Sequence, residues 1–123
     1  MKAGDVIWIA DEEIKPPGPK MVICVEPDIG LFFRINTNDN WEPCIPIVKI
    51  PDHPFLTHDS FVQCEVLELD DYVILAGIRK NGMIGRISTA MCDALIETLE
   101  YVDAPRPDKN AIRDALKRAK SGM

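Results

Sequence analysis

The 123-residue sequence has no long apolar run, only two histidines, and few aromatic residues or glycines. No stretch approaches the ~20 apolar residues of a membrane-spanning helix, so none is predicted. The four cysteines and two histidines form neither a C-x-x-C pair nor another compact zinc motif. A glycine motif for cradling phosphates is also missing, which argues against a nucleotide-binding fold. The sequence therefore predicts a protein without a metal or a cofactor.

The composition indicates one ordinary globular domain. Apolar residues make up 46% of the chain and charged residues 28%, and the length suits a single hydrophobic core. The N-terminal Met1–Asp5 leads straight into a strand-like segment with no signal-peptide pattern, so we expect a cytoplasmic protein. In that compartment cysteines are expected to be free thiols that act as small apolar residues. They are Cys24, Cys44, Cys64 and Cys92.

Charge is distributed unevenly along the chain. The net charge is −6, but residues 103–123 contain six Lys or Arg and only three Asp, a net +3. Residues 1–102 therefore carry −9. An acidic body with a basic tail fits self-association, or a partner for the tail, better than it fits a broad phosphate-binding face.

Short segments rich in β-branched and aromatic residues predict a curved antiparallel sheet. The turn Pro27–Gly30 joins two of them into a hairpin, because proline and glycine suit a tight turn. Asp11–Lys20, which contains Pro16-Pro17-Gly18-Pro19, is expected to be an exposed loop. The predicted strands are Asp5–Ala10, Met21–Glu26, Leu31–Asn36, Cys44–Ile50 and Ser60–Leu67.

Beyond the strands, the apolar spacing changes to that of helices. Asp70, Ser88 and Asp108 are predicted to cap three of them. Strands followed by helices indicate an α+β fold. We therefore expect a body over residues 1–103, then a linker and a C-terminal basic helix over residues 104–123. The apolar side chains expected to dock this last helix are Ile112, Leu116 and Ala119.

Arg34 is a charged residue inside an otherwise apolar strand. A charge in that position needs a partner or solvent, because an unpaired buried charge is costly. One interpretation is an arginine that faces solvent at a sheet edge. The other is that Arg34 and Thr37 open onto a cleft that binds an anionic group such as a phosphate. His58-Asp59-Ser60 predicts a group of polar residues at the start of a strand. It would make a poor catalytic triad, because neighbouring residues on a strand point to opposite faces.

Five short motifs follow one another between residues 4 and 102, the last of them leading into an amphipathic helix. They are Gly4–Trp8, Pro19–Cys24, Phe33–Thr37, Asp59–Val62 and Ile84–Ser88. In this order they resemble the MazF/PemK-type toxins of bacterial toxin–antitoxin pairs. The resemblance implies a small curved antiparallel SH3-like β-barrel followed by C-terminal helices. It also implies a homodimer from a toxin–antitoxin or mobile-element system that cleaves messenger RNA without a metal.

The same resemblance implies a set of catalytic residues and partners. Metal-free RNA cleavage needs a base, an acid and cations that stabilise the charge of the transition state. Lys20, Arg34, Thr37 and His58 stand at matching places in this chain. The implied partners are a second copy of the chain, an antitoxin-like protein and single-stranded RNA.

Differences from the family pattern favour an alternative function. Pro19-Lys20 stands where the family has Arg-Pro, and lysine lacks the two-pronged guanidinium of arginine. The segment Val66–Asp70 lacks the arginine that the family carries there, and an acidic body repels RNA. The alternative is a catalytically inactive SH3-like barrel that acts as a protein-interaction module.

Overall fold

The computed structural model describes residues 1–122 and contains six strands in one antiparallel sheet that curls into a half-barrel. The strands are β1 (Asp5–Asp11), β2 (Gly18–Glu26), β3 (Leu31–Asn36), β4 (Cys44–Ile47), β5 (Ser60–Glu68) and β6 (Gly85–Arg86). Their order across the sheet is β4-β5-β3-β2-β1-β6. All five predicted strands are present, although the fourth ends at Ile47 and not at Ile50. Every pairing is antiparallel, which confirms the predicted α+β class.

Three α-helices complete the fold. They are α1 (Asp71–Asn81), α2 (Thr89–Thr98) and α3 (Arg106–Ser121), and a short 3-10 helix over Leu99–Tyr101 extends α2. Helix α1 lies between β5 and β6 in the chain, whereas α2 and α3 follow the whole sheet. Among residues 1–122, no helix has the length and apolar character needed to cross a bilayer.

The helix starts agree only in part with the predicted caps. The Ser88 hydroxyl accepts a hydrogen bond from the Met91 N–H at 3.1 Å, as predicted for the cap of α2. Asp70 precedes α1, but its side chain makes no capping hydrogen bond. Helix α3 begins at Arg106, two residues before the predicted Asp108, and contains Pro107 in its first turn. Proline is tolerated there because the first N–H groups of a helix have no intrahelical partner anyway.

The hairpin between β1 and β2 is longer than predicted. Strand β2 begins at Gly18, so Pro19 and Lys20 belong to the sheet and the connecting loop shrinks to residues 12–17. Pro19 pairs with Ala10 next to the loop of the hairpin. Strand β4 lies at the sheet edge with Pro46 exposed, as the proline predicted.

Strand alternation gives the sheet two buried faces. Helices α2 and α3 cover the larger one, where Phe33 and Val62 of the sheet share a core with Leu95 and Leu116. Ile112 and Leu116 are fully buried, which confirms the predicted docking of α3. Helix α1 covers part of the opposite face, and its Ile74 packs there with residues of four strands. They are Ile7, Ile9, Val22, Cys24, Phe32 and Leu67.

Gly77 lets α1 lie directly on the backbone of β1. A Cβ at this position would fall 2.1 Å from the carbonyl oxygen of Trp8, a backbone atom with little freedom to move. The approach of α1 to the sheet therefore requires a residue without a side chain.

We predict that Gly77→Ala destabilises the protein by about 3 kcal/mol, the upper part of the usual range for overpacking, because helix or strand must shift. Gly18→Ala is the matched control, since a Cβ there meets nothing within 4 Å. Urea denaturation of both variants measures the difference. Equal unfolding midpoints would show that α1 is not pressed against β1.

Candidate functional site

The sheet face under α1 continues into a polar region. Residues two apart on a strand share a face, so Lys20 lies on the side of Val22, and Arg34 on the side of Phe32. Arg34 stands opposite Val22 on β2 and opposite Gln63 on β5. The side chains of this region come from four adjacent strands. They are Asp11, Lys20, Arg34, Asn36 and Gln63, which we call the polar cluster.

Arg34 is buried, with 7% of its surface exposed, and its guanidinium is bound by two carboxylates. Its Nε donates to Oδ2 of Asp11 at 2.7 Å, and its Nη2 donates to Oε2 of Glu13 at 2.9 Å and to Oδ1 of Asp11 at 3.4 Å. The Glu13 N–H also donates to Oδ1 of Asp11 at 3.0 Å. Both carboxylate oxygens of Asp11 are therefore satisfied, as a buried charge requires.

The charges of the polar cluster shift one another's pKa values. Burial raises the pKa of Asp11, but hydrogen bonds from Arg34 and from the Glu13 backbone outweigh it and hold this pKa below its usual 3.8. Burial opposes the charge of Arg34, yet the two carboxylates raise the pKa of that guanidinium. Burial and the nearby Arg34 lower the pKa of Lys20, against the opposing pull of Asp11. Asp11 and Arg34 thus stabilise each other as ions, and Lys20 is the cation that the site disfavours.

A chain of amides continues the polar cluster toward β5. Asn36 donates from Nδ2 to Oε1 of Gln63 at 2.9 Å, and Gln63 donates from Nε2 to Oε2 of Glu65 at 3.3 Å. Asn36 and Gln63 are both buried. Their mutual hydrogen bond explains how two amides are tolerated on a sheet that is otherwise mostly apolar.

The four residues implied by the resemblance lie at one end of the sheet, where β2 and β5 begin and β3 ends. Lys20 and Arg34 are close enough for their charges to interact. Thr37 and His58 are exposed, and the hydrogen bonds within residues 1–122 do not link either of them to Lys20 or Arg34. The four residues thus share a region without forming one hydrogen-bonded centre, and their catalytic roles stay predictions.

His58-Asp59-Ser60 forms the expected group of polar residues at the start of β5 and not a catalytic triad. His58 Nδ1 lies 2.9 Å from the carbonyl oxygen of Asp59 and 3.3 Å from Oγ of Ser60. The Asp59 carboxylate instead accepts from the N–H of Lys49 at 2.9 Å. It therefore orients the backbone of a neighbouring loop and not the imidazole.

His53 is a structural residue. Its ring is buried, and Nε2 accepts a hydrogen bond from the Ser88 N–H at 3.1 Å. Nδ1 must then carry the proton, which it donates to the Val48 carbonyl at 2.7 Å. The ring joins the loop after β4 to the start of α2.

The cysteines are placed as unreactive thiols. Cys24, Cys64 and Cys92 are buried, Cys44 is half-buried, and none of them is in a disulfide. Burial raises the pKa of Cys24 and of Cys64 to about 12, which keeps both protonated near neutrality. Within residues 1–122, no three His, Cys, Asp or Glu side chains are grouped so as to hold a metal ion.

The binding of Arg34 by two carboxylates was not predicted from the sequence. Asp11 and Glu13 were expected to belong to a solvated acidic loop, whereas Asp11 ends β1 and is buried. A signal was present, because an arginine in an apolar strand needs a carboxylate. The β1–β2 hairpin places Asp11–Glu13 over the sheet and in this way supplies the carboxylates that Arg34 needs.

A groove lies between α1 and the loop end of the β1–β2 hairpin. It has a volume of about 520 Å³, and its lining includes the apolar Leu67, Leu69 and Val73 together with Tyr72, which is 72% exposed. Lys80 is the one basic residue among the groove residues that the structure describes. Five acidic residues also line it. They are Asp11, Glu12, Glu13, Glu68 and Asp70.

No protein-family model, curated protein or solved structure matches this chain. The resemblance to MazF/PemK-type toxins therefore stays a prediction that rests on the order of short motifs.

We predict that Arg34→Met destabilises the protein by about 3–5 kcal/mol, because it leaves the buried Asp11 carboxylate without its partner. Adding Asp11→Asn should recover part of this loss, since the double variant removes both charges. Glu13→Gln should cost about 1 kcal/mol or less, because the Glu13 side chain is 73% exposed. Chemical denaturation measures all four proteins. A double variant no more stable than Arg34→Met would contradict the pairing.

Asp11 should contribute to the pH dependence of the free energy of unfolding. Since folding lowers the pKa of Asp11 below 3.8, its contribution is complete above that pH and is lost as the pH falls further. The stability difference between wild type and Asp11→Asn should therefore shrink in acid. Glu12→Gln is the control, since Glu12 is exposed and takes no part in the ion pairs of residues 1–122. Parallel acid profiles for wild type and Asp11→Asn would refute the assignment.

Proposed function

We propose that this domain is a non-catalytic protein-interaction module built on a curled half-barrel sheet. One observation carries the proposal: the guanidinium of Arg34 is already bound by Asp11 and Glu13 of its own chain. A cation held in this way neutralises internal carboxylates, and its Nε and Nη2 are not free to bind a phosphate.

The local charge supports the same conclusion. Metal-free RNA cleavage relies on cations aimed at the negative charge that develops on phosphorus. Here the charges of Asp11, Glu13, Lys20 and Arg34 sum to zero, and Glu12 extends the acidic surface along the hairpin. A phosphate approaching this end of the sheet meets little net attraction.

An endoribonuclease of the MazF/PemK-like type is the second candidate. Lys20, Arg34, Thr37 and His58 lie at one end of the sheet, and Lys20 has a lowered pKa, which suits a lysine used in proton transfer. In this case the protein would act as a homodimer on single-stranded RNA within a toxin–antitoxin or mobile-element system, with an antitoxin-like protein as its inhibitor.

Inducible expression in bacteria, combined with incubation of the purified protein with single-stranded RNA, separates the two candidates. Wild type and Thr37→Ala are compared for growth and for RNA integrity. The proposal predicts normal growth and intact RNA for both proteins. Thermal melts establish that both are folded.

RNA fragments produced by wild type and lost in both Thr37→Ala and His58→Ala would overturn the proposal in favour of the ribonuclease. Fragments that persist in all three proteins come from a contaminating nuclease if a mock purification from cells without the gene also produces them; if it does not, they overturn the proposal as well. Both substituted side chains are exposed, so the variants should keep the wild-type fold.

A further inference from the structure

The groove between α1 and the β1–β2 hairpin has the features of a peptide-binding surface. It combines apolar lining residues with an exposed aromatic side chain, Tyr72. One turn further along α1, Leu75 is 50% exposed and extends this apolar surface. An exposed aromatic side chain beside a concave apolar surface is typical of sites where a partner buries its own apolar residues.

The charge of the groove determines the kind of partner that fits. Asp11 is occupied by Arg34, and Glu13 makes one contact with it while remaining mostly exposed. Glu12, Glu68 and Asp70 are exposed and take no part in the ion pairs of residues 1–122. With Lys80 as the one cation in the described lining, the groove repels anions and attracts a basic segment.

The hairpin already binds an arginine within the same chain. Asp11 and Glu13 approach the Arg34 guanidinium from the loop side. Glu13 uses only Oε2 for this contact in the described structure. Its other oxygen is a further acceptor at the edge of the groove, and a carboxylate oxygen of this kind can accept from a second guanidinium or ammonium group.

We propose that this groove binds a basic segment of a partner protein. A large apolar side chain of the segment packs against Tyr72, and its Lys or Arg side chains face the acidic residues of the hairpin and of Glu68. The inference rests on the proposed function, since it names the binding surface and the partner class of the interaction module. The recognition mode is that of a polypeptide held by apolar anchors within a charged rim.

The basic helix of a second copy fits this groove less well. Ile112 and Leu116 of α3 are buried in the core of their own chain, so the exposed side of that helix offers cations such as Lys117 and Arg118 without a large apolar anchor. Charge alone gives weak attachment that salt screens. A separate partner can supply both the charge and the anchor.

The test uses a short fluorescent peptide of alternating Arg and Leu, with fluorescence anisotropy as the readout. A peptide with Ser in place of Leu keeps the charge and removes the anchors. We expect saturable one-to-one binding of the Arg–Leu peptide and an affinity lower by about tenfold or more for the Arg–Ser peptide.

Two groove variants and one matched control locate the binding surface. Tyr72→Ala removes the aromatic side chain, and Glu12→Gln/Glu68→Gln/Asp70→Asn removes three exposed acids that make no ion pair. Each should weaken binding of the Arg–Leu peptide by about tenfold or more. The control Glu97→Gln/Glu100→Gln/Asp114→Asn removes three exposed acids outside the groove, with the same change of net charge. It should bind as wild type does.

Equal weakening by the groove triple and the control triple would show non-specific attraction and overturn the inference, as would no binding at all. Gel filtration of the wild-type protein tests whether a second copy of the chain occupies the groove instead. A dimer abolished by both the groove triple and Lys117→Glu/Arg118→Glu would mean that a second copy fills the groove, which also overturns the inference. None of these results concerns RNA, so the outcome of the ribonuclease test is independent of them.

Discussion

The buried ion pair of Arg34 and Asp11 determines how the β1–β2 hairpin lies against the sheet. Arg34 lies on β3, which has a strand on either side, so its guanidinium cannot turn outward at a sheet edge. A charge held there must have a partner. Asp11 meets this need from the end of β1, and Glu13 adds a second carboxylate from the following loop. The hairpin is therefore tied to the sheet by electrostatics at the point where apolar packing under α1 ends.

The groove follows from this constraint together with the close packing of α1. Gly77 lets the helix lie on the backbone of β1, which sets one wall. The contact from Glu13 to Arg34 holds the hairpin loop over the sheet and sets the other. Asp11 and Glu13, which hold the loop, are paired with Arg34. The net acidity of the groove therefore comes from Glu12, Glu68 and Asp70, which make no ion pair within residues 1–122.

The strands and most helix starts were predictable because they depend on local signals. Two short apolar runs, Met21–Glu26 and Leu31–Asn36, with a proline–glycine turn between them, are enough to predict a hairpin. Ser88 reveals a helix start in the same way. The Arg34–Asp11 pair was not predictable in this manner, because its residues are far apart in sequence and meet only once β2 pairs with both β1 and β3. The groove depends on the same tertiary contact and on Gly77, whose role no local pattern reveals.

The ion pair also bears on which of the two functions the fold can perform without rearrangement. A ribonuclease that needed Nε and Nη2 of Arg34 as its donors would have to withdraw the guanidinium from Asp11 and Glu13. Losing the exposed Glu13 contact costs about 1 kcal/mol or less. Leaving Asp11 buried and unpaired costs about 3–5 kcal/mol, which phosphate binding would have to offset at every turnover. Binding a basic segment leaves the pair intact, because Glu12, Glu68 and Asp70 are already exposed and make no ion pair within residues 1–122. The ion pair therefore supports the proposed protein-binding role over the alternative of RNA cleavage.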